Sequence, residues 1–158
     1  MTQMLSTPWD FDSSFGRAIQ ATMEDFAFEE PSPIPGDYEL APDRISVIID
    51  ILDPEIGGVI ISMSPAVARD LCLAISGLAP TQSVDDAAIR DAIGELTNVF
   101  SGKLIGELLD GHRQFKLSLP RTGDAPTLEG EGIVRFSVGL SMGVIDAFIF
   151  GPASLDCL

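Results

Sequence analysis

Three polar residues, Asp91, Glu95 and Asn98, recur at steps of four and three in the stretch DAIGELTNVF. On a helix that spacing lines their side chains up along one face. Gly94, Gly102 and Gly106 share the same segment, and each costs up to roughly 1 kcal/mol against alanine inside a helix. Such glycines call for close approach by something, either the protein's own sheet or a partner. An acid, an amide and bare backbone on one exposed, rigid face suit a docking or catalytic surface. A solvated helix face has the same spacing, so Glu-x-x-Asn alone commits to no chemistry.

Other chemistries lack their residues. His112 has no companion cysteines or acids at metal spacing and reads as a solvated turn residue. No Gly-x-x-x-x-Gly-Lys-Ser/Thr loop occurs, and Gly57-Gly58 reads as part of a turn between strands. Ser62 and Ser64 have neither a glycine elbow nor a second histidine to supply a base. Gly102-x-x-x-Gly106 matches a membrane packing motif only in letters, because the surrounding helix is charged.

The element that must hold the polar row is a long helix over 83–111. Ser83 with Asp86 has the form of a capping box, and Gly111 supplies a left-handed stop. Ile89, Ile93, Leu96, Phe100, Leu104 and Leu108 form its apolar stripe. Such a helix would run roughly 40 Å, so much of the chain must pack along it.

The remaining elements follow from periodicity and punctuation. Residues 1–12 are expected to be poorly ordered. Ser13 or Ser14 caps a helix within 13–30, with Phe15, Ala18, Ile19, Thr22, Met23 and Phe26 on its apolar face and Pro31 ending it. Residues 31–43, acidic and proline-rich, read as a loop. Residues 44–52 and 59–63 read as a hairpin turned at Asp53, Pro54, Gly57 and Gly58. Ser64-Pro65 opens a short helix over 65–76 that Gly77 closes. After the long helix come a strand at 114–119, with Phe115, Leu117 and Leu119 on one side, then a loop through the 120s. Strands at 133–138 and 144–150 turn around Gly139 to Gly143, and 153–158 is a tail. Blocks of strands with short connections imply an α+β class, one domain over 13–152, with an antiparallel or mixed sheet layered against helices.

The chain has 158 residues, is 46% hydrophobic and carries a net charge of −15, enough for one domain with a substantial core. Nine basic residues scattered along an acidic chain argue against nucleic acid and anionic membranes as partners. No apolar run approaches the roughly 18 residues of a membrane span, and the N-terminus lacks a secretory pattern. Cys72 and Cys157 are unrelated in spacing and read as free thiols. The expectation is a cytoplasmic protein.

The texture of DAIGELTNVFSGKLIGEL followed by KLSLP resembles the CheC/CheX/FliY family of chemotaxis phosphatases, and CheX most closely. That family carries Asp or Ser, three residues, Glu, two residues, Asn, and a later proline. Here these fall on Asp91, Glu95, Asn98 and Pro120. The resemblance extends over about 43–151 and is carried by 85–120; the acidic N-terminal segment lies outside the motif. CheC-like members carry two such helices, and this chain has one.

The resemblance implies a CheC-like two-layer fold, a homodimer, and an enzyme that hydrolyses the aspartyl phosphate of a CheY-like response-regulator receiver. Glu95 would anchor the receiver through its active-site lysine, and Asn98 would orient the attacking water. Asp91 would support them or merely be solvated, and Pro120 would shape the strand end. No cofactor of its own is implied, magnesium belonging to the receiver. The alternative in the same fold is a non-catalytic module that binds a receiver or a flagellar switch component. A small-ligand binding domain has no residues to support it. Apolar strands at 133–138 and 144–150, if left unpaired, would supply a sticky edge for the homodimer.

Overall fold

The computed structural model describes residues 6–34, 40, 42–53, 57–109, 114–123 and 132–151. Helix α1 (Ser14–Thr22) runs on into a π-helical turn (Met23–Ala27). The chain continues through β1 (Ser32–Pro33), β2 (Ile45–Asp53), β3 (Gly57–Met63), α2 (Pro65–Ser76) and α3 (Asp86–Leu108). It finishes with β4 (Lys116–Leu117), β5 (Arg121–Gly123), β6 (Ile133–Leu140) and β7 (Gly143–Phe150). The class is α+β. The seven strands form one sheet in the order β1-β6-β7-β3-β2-β4, with β5 also on β2, and every described pairing is antiparallel.

One face of the sheet meets the helices. Alternation along the strands turns Val47, Val59, Ile61, Phe136, Ile145 and Ala147 into a single core. The helices answer with Phe15 and Ile19 from α1, Leu71 from α2, and Ile93, Leu96 and Phe100 from α3. Phe15 ties the layers together, stacked on Phe136 at 4.1 Å and edge-on to Phe100 at 5.6 Å. On the opposite face Asp146 accepts from Arg44 (2.7 Å), Arg135 (3.0 Å) and Ser137 (2.7 Å). This cluster is almost wholly buried, its arginine and aspartate side chains being 0–2% exposed.

The caps of α1 and α2 are those the sequence signals. The Ser13 hydroxyl accepts from the Gly16 N–H and the Ser64 hydroxyl from that of Val67, while Gly77 closes α2 at φ +67°. Helix α3 begins at Asp86 instead, because the Asp85 carboxylate accepts from the Ala88 N–H at 2.8 Å. An ionised acceptor at the positive end of the dipole outcompetes the Ser83 hydroxyl. The helix has 23 residues, about 35 Å; the expected stop at Gly111, and His112 beside it, lie outside the described residues. The helix of 13–30 ends at Phe28, left-handed at φ 56°, before Pro31 is reached.

Several expectations give way to long-range pairing. Gly57 and Gly58 lie inside β3, opposite Ile51 and Asp50, rather than in a turn. Gly57 is required there, because a Cβ would run into the Phe150 backbone carbonyl on the neighbouring strand. Residues 6–9, within the segment expected to be poorly ordered, pack on β6. Thr7 donates its N–H to the Arg135 carbonyl, and the Trp9 indole donates to the Ser137 carbonyl at 2.9 Å. Ser32 and Pro33, inside the segment read as a loop, pair with Gly139 and Val138. Together these segments cover the outer edge of β6, while β7 is paired on both sides. The sticky edge invoked for a homodimer is therefore not exposed. Cys72 is a buried free thiol, and Cys157 lies outside the described residues. No helix among the described residues is long and apolar enough to cross a membrane.

Candidate functional site

Helix α3 is pinned against rotation by its buried stripe: Ile93, Leu96, Phe100 and Leu104 are inaccessible to solvent. Helices α1 and α2 flank it and β2 and β3 lie beneath. Burial of that stripe sends Asp91, Glu95 and Asn98 to the outer face, where all three are exposed. None of the three makes a hydrogen bond or ion pair with a described residue. Their polar groups are solvated and available to a ligand.

The opposite wall comes from the joint between β4 and β5. The expected strand at 114–119 is reduced to Lys116–Leu117, because pairing on β2 shifts register and resumes only at Arg121–Gly123. Pro120 has no N–H to give a ladder, and Ser118 bridges the gap instead. Its N–H donates to the Asp50 carbonyl and its hydroxyl accepts from the Asp50 N–H, both at 2.8 Å. Arg121 reaches back to the Asp50 carboxylate at 3.4 Å. Held on one side, the joint lays Pro120 over the helix at Gly94. A Cβ there would stand 3.5 Å from Pro120 Cγ, ordinary contact distance. An alanine would therefore fit at Gly94, so the approach of Pro120 does not itself demand glycine. At Gly102 and Gly106 a Cβ would meet no described atom within 4 Å, so the close approach expected at these glycines is not seen among the described residues.

The result is an open groove of about 870 Å3. Asp91, Glu95, Asn98 and Pro120, the four residues singled out in the sequence, all line it. Sequence reasoning missed Arg90, Leu119, Arg121 and Thr122 on the same groove. Arg90 stood beside the motif and could have been noticed. Leu119 was assigned to one apolar side with Phe115 and Leu117, but it is 87% exposed, because it lies in the stretch between Leu117 and Arg121 that leaves the ladder on β2. Among the described residues no three His, Cys, Asp or Glu side chains converge as a metal site. Chemically, the groove offers an unengaged carboxylate and an unengaged amide one turn apart on a rigid support.

A family model described as the chemotaxis phosphatase CheX matches residues 45–130. Solved structures of the same fold include the chemotaxis protein CheX from Desulfovibrio desulfuricans, at a TM-score of 0.71 and 18% identity, covering 88% of this chain and 97% of that one. CheX from Vibrio vulnificus matches at a TM-score of 0.70 and 19% identity, over 91% and 97% of the two chains. The CheX–CheY–BeF3–Mg2+ complex from Borrelia burgdorferi matches at 0.69 and 16%, over 90% and 97%. The architecture is thus the CheC-like fold. No curated protein matches the sequence.

Proposed function

The chain belongs to the CheX family of chemotaxis phosphatases, and from that premise we propose that its groove hydrolyses the aspartyl phosphate of a CheY-like receiver. The observation that carries the reading is the state of Glu95 and Asn98: both are exposed on a pinned helix, and neither is engaged by the fold. Water attacks the phosphorus, the bond from phosphorus to the aspartyl oxygen breaks, and inorganic phosphate leaves with the receiver carboxylate restored. Such a reaction passes through a loose transition state, so positioning and charge stabilisation outweigh strong base chemistry. The Asn98 carboxamide oxygen accepts from the attacking water and fixes its line of approach without ionising. Glu95 pairs with the lysine of the receiver site. Magnesium belongs to the receiver. Asp91, one turn back, serves as a solvated neighbour, and Pro120 shapes the wall through its contact with Gly94.

The same reading places the protein in the cytoplasm with its receiver, as a homodimer. The test is loss of phosphoryl label from each CheY-like receiver of the parent genome against protein concentration, with binding followed separately. Wild type should accelerate dephosphorylation of at least one receiver. Asn98→Ala should cut that acceleration by about a hundredfold while binding survives, because one lost positioning group in an in-line reaction can cost that much. Glu95→Ala should weaken docking as well as rate, a charge pair in the interface being broken. Binding without acceleration by the wild type would make the protein a receiver-binding module instead.

A further inference from the structure

The proposed reaction poses an electrostatic problem. The chain carries a net charge of −15, and a phosphoryl group adds roughly −1.5 to −2 to whatever bears it. Repulsion would slow the encounter, the more so as the groove itself presents the unengaged Asp91 and Glu95, unless an unengaged cation stands beside them. Among the described cations, Arg17, Arg44, Arg69, Lys103, Arg121 and Arg135 each face a carboxylate within the fold. Arg90 and Lys116 do not, and only Arg90 of these two lines the groove. Its neighbour in sequence, Asp91, points to a different azimuth of the helix, so the guanidinium is left unpaired where a partner would arrive.

Leu119 stands on the other wall. A single exposed leucine is ordinary on a protein surface; its mounting is what distinguishes this one. The preceding residue is tied to Asp50 by two hydrogen bonds, and the following one, Pro120, rests on Gly94. An apolar side chain held out on a braced backbone loses little freedom when it docks.

We propose that Arg90 and Leu119 form a two-sided clamp that docks the phosphorylated receiver across the groove, Arg90 steering its anionic face inward and Leu119 anchoring an apolar patch beside it. The clamp rests on the receiver-phosphatase reading and adds the residues that select the partner. Its two halves differ in kinetics. A charge on the rim acts on association and is screened by salt, whereas an apolar anchor acts mainly on dissociation.

The probe is the receiver that wild type dephosphorylates, charged with BeF3 and Mg2+ so that it does not turn over, with association and dissociation followed at low and high salt. Arg90→Ala should slow association about tenfold at low salt, Arg90→Glu further, and Arg90→Lys should restore most of it. The differences should shrink at high salt. Leu119→Ala should speed dissociation about tenfold with the salt dependence of wild type. Both side chains are exposed, so unchanged melting curves should accompany these effects. Wild-type association rates in Arg90→Glu, or a wild-type dissociation rate in Leu119→Ala, would overturn the clamp while leaving the phosphatase standing. A wild-type protein that binds no receiver would remove both together.

Discussion

Replacing Gly102 and Gly106 by alanine should stabilise the protein. Both glycines sit in the interior of α3 with helical backbone, and a Cβ at either meets no described atom within 4 Å. The substitution therefore adds no clash, restricts the unfolded chain, and gains about 1 kcal/mol of helix propensity per site. The pair together comes to about 2 kcal/mol, which in a domain of this size raises the melting temperature by about 4–8 °C. Thermal melts and urea titrations of the two single variants and the double would read it. Gly57→Ala is the internal control, predicted to destabilise, since its Cβ would run into the Phe150 backbone carbonyl. An unchanged or lowered melting temperature in the double variant would refute the reasoning, because it would mean that this face of α3 is not open.

Four further outcomes test other parts of the protein. Asp146→Ala should cost about 3–5 kcal/mol by urea unfolding, because it strips the shared carboxylate from the buried Arg44 and Arg135. Trp9→Ala should cost about 3 kcal/mol through loss of the buried ring; Trp9→Phe, which loses the bond to the Ser137 carbonyl, should cost about 1 kcal/mol more than the change in packing. Asn98→Ala should leave stability within about 0.5 kcal/mol of wild type, because the side chain is exposed and makes no bond to the described fold. Light scattering at micromolar concentration should return twice the 16.8 kDa chain mass for the proposed homodimer.

The polar row on α3 was legible in the sequence because everything that orients it is local. A run of apolar residues at helical spacing settles which face is buried, and that choice places Asp91, Glu95 and Asn98 on the exposed side. The caps at Ser13, Ser64 and Gly77 are local for the same reason. What only the tertiary structure decided is how the second wall of the groove arises. Strands of two and three residues, such as β4 and β5, are too short for an alternating pattern to register, and their place depends on pairing with β2. The break in strand pairing between Leu117 and Arg121 that holds Leu119, the placing of Pro120 over Gly94, and the docking of Trp9 on β6 all depend on residues far apart in the chain. Such contacts are selected by burial and hydrogen-bond satisfaction in the assembled sheet, which no local period encodes.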